Sequence, residues 1–174
     1  DLKGTDLYGN EVDFSKYKDK KVLVEIAATY CTHCGEQLKY MSRIKKNLGD
    51  IEIIQIFADT FGDVENIEMF YSENEHKITD DATIIQYKKE ITERFMDVGI
   101  TQTPTFMFID KGVIKTALSS FNSKFLDIVC KIGFKGEIKR EKIFLDEEGG
   151  PNLNNNMGRI NKKRSQRKRN GIFN

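Results

Sequence analysis

Val22 to Cys34 read "VLVEIAATYCTHC", an apolar run that ends in two cysteines separated by two residues. The run from Lys21 to Ala28 is continuous and rich in β-branched residues, the pattern of a strand buried on both faces. Beyond it, Cys34, Leu38, Met41, Ile44 and Leu48 recur at intervals of four, three, three and four. That spacing predicts an amphipathic helix that begins at or just after Cys31 and stops near Gly49. "IEIIQIFA", Ile51 to Ala58, is a second buried strand. Strand, helix and strand in this order require a right-handed crossover and a parallel sheet.

The cysteine pair admits three chemistries: half of a metal site, a structural staple, or a reactive dithiol. A zinc site needs four ligands, and the remaining soft or imidazole candidates, Cys130, His33 and His76, form no second half-site. A disulfide across two intervening residues closes too small a loop to remove much unfolded-state entropy. Position favours reactivity. The first cysteine sits where a buried strand hands over to a helix, and unpaired N–H groups and the helix dipole there stabilise a Cys31 thiolate. Ligands of α/β sheets bind at that same end of the strands. Cys34, one turn further in, is placed to close a disulfide with Cys31 and to resolve a mixed disulfide.

The rest of the chain fits around this unit. With 174 residues, 39% apolar and 32% charged, one domain with a real core is expected. No apolar run approaches the ~18 residues of a membrane span. "DLKGTDLYGNEVDFSKYKDK" carries a Tyr-Gly-Asn turn signal between short alternating stretches and predicts an N-terminal β-hairpin. Two helical patterns follow the second strand, one through Val64, Ile67 and Tyr71, the other through Ile84, Tyr87, Ile91, Phe95 and Val98. Thr105 to Asp110 and Val113 to Leu118 are strands joined by Lys111-Gly112, hence an antiparallel hairpin. Phe121, Phe125, Ile128 and Ile132 predict a last helix, in which Cys130 reads as a buried free thiol. "EIKREKIFL" is compatible with strand or helix.

The net charge is +1, but residues 1–145 carry 21 basic and 24 acidic side chains, whereas from Arg159 onward there are seven Lys or Arg and no acid. Residues 146–174 read as a flexible polar and basic tail on a 1–145 domain, because they cannot bury enough apolar surface to order themselves. "KKRSQRKR" is suited to an anionic membrane surface or simply to solvent; without interleaved aromatics, no specific nucleic acid is expected.

"VLVEIAATYCTHC" resembles the first signature of the thioredoxin superfamily, a strand running into C-x-x-C, and "VGITQTPTFMFIDKG" is similar to the second, which contains Pro-Thr before a strand. The two stand about seventy residues apart, further than in a minimal thioredoxin. The longer insert and the leading "DLKGTDLYGNEVDFSKYKDKKVLVEI" resemble the TlpA/ResA-like branch, and the likeness spans roughly Asp1 to Phe134. It implies a thioredoxin fold: a central mixed β-sheet flanked by helices, with an N-terminal hairpin extension and a helical insertion. It also implies thiol–disulfide exchange on protein substrates, with a redox partner that recycles the dithiol.

The resemblance carries roles to particular residues. Cys31 matches the nucleophile and Cys34 the resolving thiol. Pro104 matches the proline that follows a cis peptide bond, and Thr103 the residue whose backbone pairs with an extended substrate chain. Tyr30 stands at the substrate surface in place of the usual tryptophan, which this chain lacks altogether. Thr32 and His33, between the cysteines, are the candidates for tuning the Cys31 thiol; oxidising members also carry histidine there. Glu25 interrupts an apolar run, where an unpaired charge is expensive and a raised pKa is the usual relief. It falls at the place of the buried acid that relays protons to the resolving cysteine; the alternative is that it reaches solvent, Lys20 or Lys21.

Peroxidase chemistry is not expected, since the peroxiredoxin pattern needs proline and threonine where this chain has Val24 and Ala28. No metal, nucleotide or flavin is implied, and a monomer is expected. The frame points to a reductant of exported proteins and His33 to an oxidant, with a non-catalytic copper or heme-pathway binding module as a further alternative. Either redox role suggests an extracytoplasmic place, secreted or anchored through a removed N-terminal segment, with the cytoplasm as the other option.

Overall fold

The computed structural model describes residues 2–74, 81–119 and Phe134. Its centre is the strand at the head of the quoted stretch, β3 (Lys21–Ala27), preceded by a hairpin of β1 (Lys3–Thr5) and β2 (Glu11–Asp13). In that hairpin Asp6 caps the turn, its Oδ1 accepting from the backbone N–H groups of Tyr8 and Asn10 at 2.9 Å each. After β3 come α1 (Thr32–Leu48), β4 (Glu52–Phe57), α2 (Val64–Glu73), β5 (Thr83–Ile85), α3 (Lys89–Asp97), β6 (Thr105–Asp110) and β7 (Val113–Leu118). The five-stranded sheet has the order β5-β4-β3-β6-β7. The pairs β3–β4 and β4–β5 are parallel, and β3–β6 and β6–β7 are antiparallel.

Strand alternation sorts β3 onto two faces. Val22, Val24 and Ile26 join Ile54, Ile56, Met107 and Ile109 against Ile91 and Phe95 of α3 and against Val12, Phe14 and Tyr17 of the N-terminal segment. Leu23 and Ala27 join Ile53, Phe57, Phe106 and Phe108 against Leu38, Met41 and Ile44 of α1 and Ile67 and Phe70 of α2. A helix layer on each face explains why β3 reads as an unbroken apolar run rather than an alternating one. The hairpin seals its face closely: a Cβ on Gly4 would lie 2.8 Å from Cγ2 of Ile85 and 3.1 Å from Cε2 of Phe14. α1 ends where expected, with Gly49 at φ 68° as its C-cap.

One expectation is corrected. The helical pattern drawn through Ile84 and Tyr87 is helical only from Lys89 onward, because Thr83–Ile85 is a strand pairing with Ile54–Ile56 of β4. Three residues of a β-branched run give no period of their own, and the open edge of β4 supplies backbone partners that outweigh the helical spacing. Ile85 and Ile84 then serve opposite faces of the sheet. The insertion between β4 and β6 therefore contributes an edge strand as well as helices. The expected last helix with Cys130, the "EIKREKIFL" segment, His76 and the tail lie outside the described residues.

The β6–β7 connection has Lys111 at φ 50° and Gly112 at φ 74°, the two positive values that a type I′ turn demands. Gly112→Ala puts a Cβ on that backbone and is expected to destabilise the protein by about 1 kcal/mol. The check is a lowered urea midpoint with an unchanged slope.

Candidate active site

β3 delivers the chain at Ala27 into a short loop, and Cys31 becomes the N-cap of α1. Its backbone is extended, and its Sγ accepts a hydrogen bond from the N–H of Cys34 at 3.2 Å. The same N–H also donates to the Cys31 carbonyl at 3.1 Å; a cap position with a first-turn N–H aimed at sulfur favours a thiolate, as does the positive end of the helix dipole. Cys31 and Cys34 are joined in a disulfide, with Cα atoms 5.3 Å apart. Both are buried, Cys31 at 1% exposure.

The loop before Cys31 is fastened from β4. Asp59, buried, accepts from the Thr29 N–H at 3.0 Å through Oδ1 and from the Thr29 hydroxyl at 2.6 Å through Oδ2. The Ala58 N–H donates to the Ala27 carbonyl at 2.9 Å, extending the strand pairing to the start of the loop. On the other side, α2 closes tightly on α1. A Cβ on Gly35, next to Cys34, would fall 1.9 Å from Oδ1 of Asn74, the C-cap of α2. Any larger residue between Cys34 and the end of α2 would require the Asn74 side chain to move.

Glu25 is in the middle of β3, opposite Gln55 of β4 and Phe106 of β6. Alternation places it on the Leu23 and Ala27 face, the one that also holds the two cysteines. It is wholly buried. Its Oε2 accepts from Nε2 of Gln55 at 2.7 Å, and its Oε1 has no hydrogen-bond partner among the described residues. Burial pushes the carboxyl up to about 8, with the Gln55 hydrogen bond pulling the other way. Gln55 in turn accepts, through Oε1, from the hydroxyl of Tyr71 on α2. Burial raises the Tyr71 phenol first, and the nearby Glu25 charge raises it further. The alternative in which Glu25 reaches solvent or a lysine is overturned: Lys20 pairs with Glu52 at 2.6 Å, and the Lys21 ammonium lies over the Phe134 ring.

The remaining sequence candidates fall around this centre. β6 runs antiparallel to β3 with Thr105 paired to Ile26, so the loop before β6 emerges at the end of the sheet that carries the cysteines. That loop holds Thr103 and Pro104, both buried and joined by a cis peptide bond. Thr105 Oγ1 donates to the Gln102 carbonyl at 2.7 Å, closing the turn. Tyr30 is 45% exposed. Thr32 is exposed, and His33 Nδ1 lies 3.1 Å from Oε2 of Glu36, so the imidazole has a carboxylate neighbour on the outer side of α1. Among the described residues no cluster of His, Cys, Asp and Glu is arranged to hold a metal ion.

Gln55, Tyr71 and Asp59 had not been singled out from sequence as site residues. Gln55 carried a usable signal, a polar residue interrupting "IEIIQIFA" just as Glu25 interrupts its own strand. Tyr71 read only as one apolar position of a helix, and nothing local ties Asp59 to Thr29, thirty residues away.

No family model and no curated protein matches the sequence. Solved structures do. A secreted disulfide oxidoreductase of Mycobacterium tuberculosis, described as homologous to E. coli DsbE, superposes with a TM-score of 0.59 at 15% identity, over 75% of this chain and 94% of its own. The thioredoxin domain of a thiol-disulfide oxidoreductase from Bacteroides vulgatus gives 0.61 at 19% identity, over 76% and 92%. This is the thioredoxin fold. An exposed lipoprotein thioredoxin of Streptococcus pneumoniae gives 0.58 at 20% identity, over 75% of this chain and 98% of that one. Relative to a thioredoxin core of β3, α1, β4, α2, β6 and β7, the N-terminal hairpin and the β5–α3 unit are additions.

The raised pKa of Glu25 has a thermodynamic consequence. The unfolded chain releases this proton near its ordinary value of 4.5, whereas the folded chain keeps it to about 8. The stabilisation is therefore complete below about 4.5, shrinks by a few kcal/mol as pH rises to about 8, and is level beyond. Glu25→Gln retains an acceptor for Gln55 and removes the titration. Its melting temperature is expected to exceed that of the wild type by roughly 10 °C more at pH 9 than at pH 5, read by differential scanning calorimetry at the two pH values.

Proposed function

We propose that this protein is a thiol–disulfide oxidoreductase acting on protein substrates, with Cys31 as nucleophile, Cys34 as resolving thiol and Glu25 as proton acceptor and donor. The observation that supports it most is the Cys31–Cys34 pair at the N-cap of α1, on the face of the sheet that also buries Glu25. In the reducing direction the Cys31 thiolate attacks a substrate disulfide, forming a mixed disulfide and releasing one substrate thiolate. The Cys34 thiol gives its proton to Glu25 and its sulfur attacks Cys31 Sγ. The Cys31–substrate bond breaks, the second substrate thiolate leaves, and the intramolecular disulfide is restored. An external dithiol partner reverses these steps to recharge the pair.

The Thr103 backbone would pair with the substrate chain beside the cysteines, and Tyr30 would pack against it. Thr32 and His33 tune the Cys31 thiol, with Glu36 at 3.1 Å bearing on the imidazole. In the oxidised form Cys31 is almost wholly covered, so an incoming thiolate reaches it only once its covering groups give way. The reading extends to a reductant of extracytoplasmic proteins, supported by the branch resemblance and by neighbours described as secreted or as an exposed lipoprotein.

In the reduced protein, iodoacetamide at pH 6 is expected to alkylate Cys31 about tenfold faster than free cysteine and to leave Cys34 slow. Insulin reduction with dithiothreitol should be catalysed by the wild type and abolished by Cys31→Ser. Equal rates for the two proteins, with ordinary alkylation at Cys31, would remove the enzymatic reading.

A further inference from the structure

Three buried or half-buried polar side chains run in a line from α2 to the centre of the sheet: the Tyr71 hydroxyl, the Gln55 carboxamide and the Glu25 carboxyl. Elsewhere on this face the buried side chains of the described strands are mostly apolar, Thr116 of β7, opposite Phe108, being an exception. A lone hydrogen bond to Glu25 would satisfy one buried acceptor; a second partner behind the amide adds something different, because a carboxamide can present either its oxygen or its NH2.

We propose that Tyr71 and Gln55 are positioning residues for the exchange reaction, which hold the carboxamide with its NH2 toward Glu25 so that the exchanging proton is carried on Glu25 Oε1. The proposal rests on the reading of Glu25 as the proton acceptor for Cys34.

The reasoning follows the donors. The Tyr71 hydroxyl donates to Gln55 Oε1, which turns Nε2 toward Glu25, where it donates to Oε2 at 2.7 Å. Turning the amide over would bring two donors to the phenol oxygen's side and strip the phenol proton of its acceptor, a cost paid in a low-dielectric interior. Oε2 is thus an acceptor in both charge states of Glu25. The proton then sits on Oε1, the oxygen with no partner among the described residues in the oxidised structure. In the resolving step the Cys34 S–H proton passes to Oε1 as the sulfur's electron pair forms the bond to Cys31 Sγ.

Among the described residues, the groups that bear on this carboxyl are Gln55 from β4, Tyr71 from α2 and, once reduced, the Cys31 and Cys34 thiols that join α1 to the same face; Phe106, opposite Glu25 on β6, is apolar. Because Gln55 donates to the charged form, it holds the carboxyl lower than burial alone would. Without the phenol the amide is free to turn its oxygen toward protonated Glu25, favouring the neutral acid instead.

Tyr71→Phe tests this, since it keeps the ring whose edge packs on Phe70 at 5.4 Å between centroids and removes only the hydroxyl. The rate of mixed-disulfide resolution should rise with pH in the wild type as Glu25 ionises. In Tyr71→Phe that limb is expected to move up by about one pH unit, with its plateau rate preserved, and Gln55→Leu should move it in the same direction. The carbon-13 resonance of the Glu25 carboxyl, followed against pH in the oxidised form, should shift its midpoint by the same amount, whether or not turnover changes. An unmoved midpoint in Tyr71→Phe, with Glu25→Gln erasing the limb, would overturn the positioning role and leave the Glu25 reading standing. A limb that survives Glu25→Gln would instead overturn the reading of Glu25 itself.

Discussion

A carboxyl group with no access to water, set in the central strand of the sheet, is the constraint around which this molecule is arranged. Charged, it has one donor to compensate the hydration it has lost; neutral, it is at ease near physiological pH. Every neighbouring element bears on that balance. β4 contributes the amide that favours the charge, α2 the hydroxyl that orients the amide, and α1 with β6 the apolar walls that disfavour the charge. A site built this way spends stability on chemistry, since a leucine at position 25 would pack without any such cost. In a chain proposed to move protons between sulfurs, the expense has a use.

The second constraint is directional. β3 must run parallel to β4 so that a helix can return across one face, and antiparallel to β6 so that the loop with Thr103 and Pro104 reaches the same end of the sheet as Cys31. With both arrangements in one mixed sheet, Cys31 at the cap of α1 and the loop of Thr103 and Pro104 come to the same end of the sheet. The β5–α3 unit and the N-terminal hairpin add cover on the sheet's margin and far face, and leave that end of β3 unchanged.

Much of this was legible beforehand, because the strongest signals were periodic or chemical. The β3 run, the four-three-three-four spacing behind Cys34 and the Lys111-Gly112 turn each identify an element by a rule of backbone geometry, and the structure contains all three. Glu25 stood out as a charge in the wrong company. Ile84 and Tyr87 were misassigned for the converse reason: a three-residue edge strand is defined by the neighbour it pairs with, and that neighbour is invisible to a period. Tyr71 shows the same limit for the site. Its spacing marked it as one more core aromatic, and only the tertiary meeting of α2 with β4 turns its hydroxyl into part of a polar line. Asp59 likewise gains meaning only from Thr29.

The clasp between Asp59 and Thr29 has a consequence for the proposed redox cycle. When the disulfide opens, the only covalent closure lost is a ring spanning four residues, Cys31 to Cys34, while the loop leading to it stays moored to β4 by two hydrogen bonds that involve neither sulfur. Little chain entropy is released by such a small ring. The oxidised and reduced forms should then be near twins in backbone, differing chiefly in where charge and protons reside. A partner that tells them apart must do so by reading electrostatics at the cap of one helix, since there is scarcely a change of shape to feel.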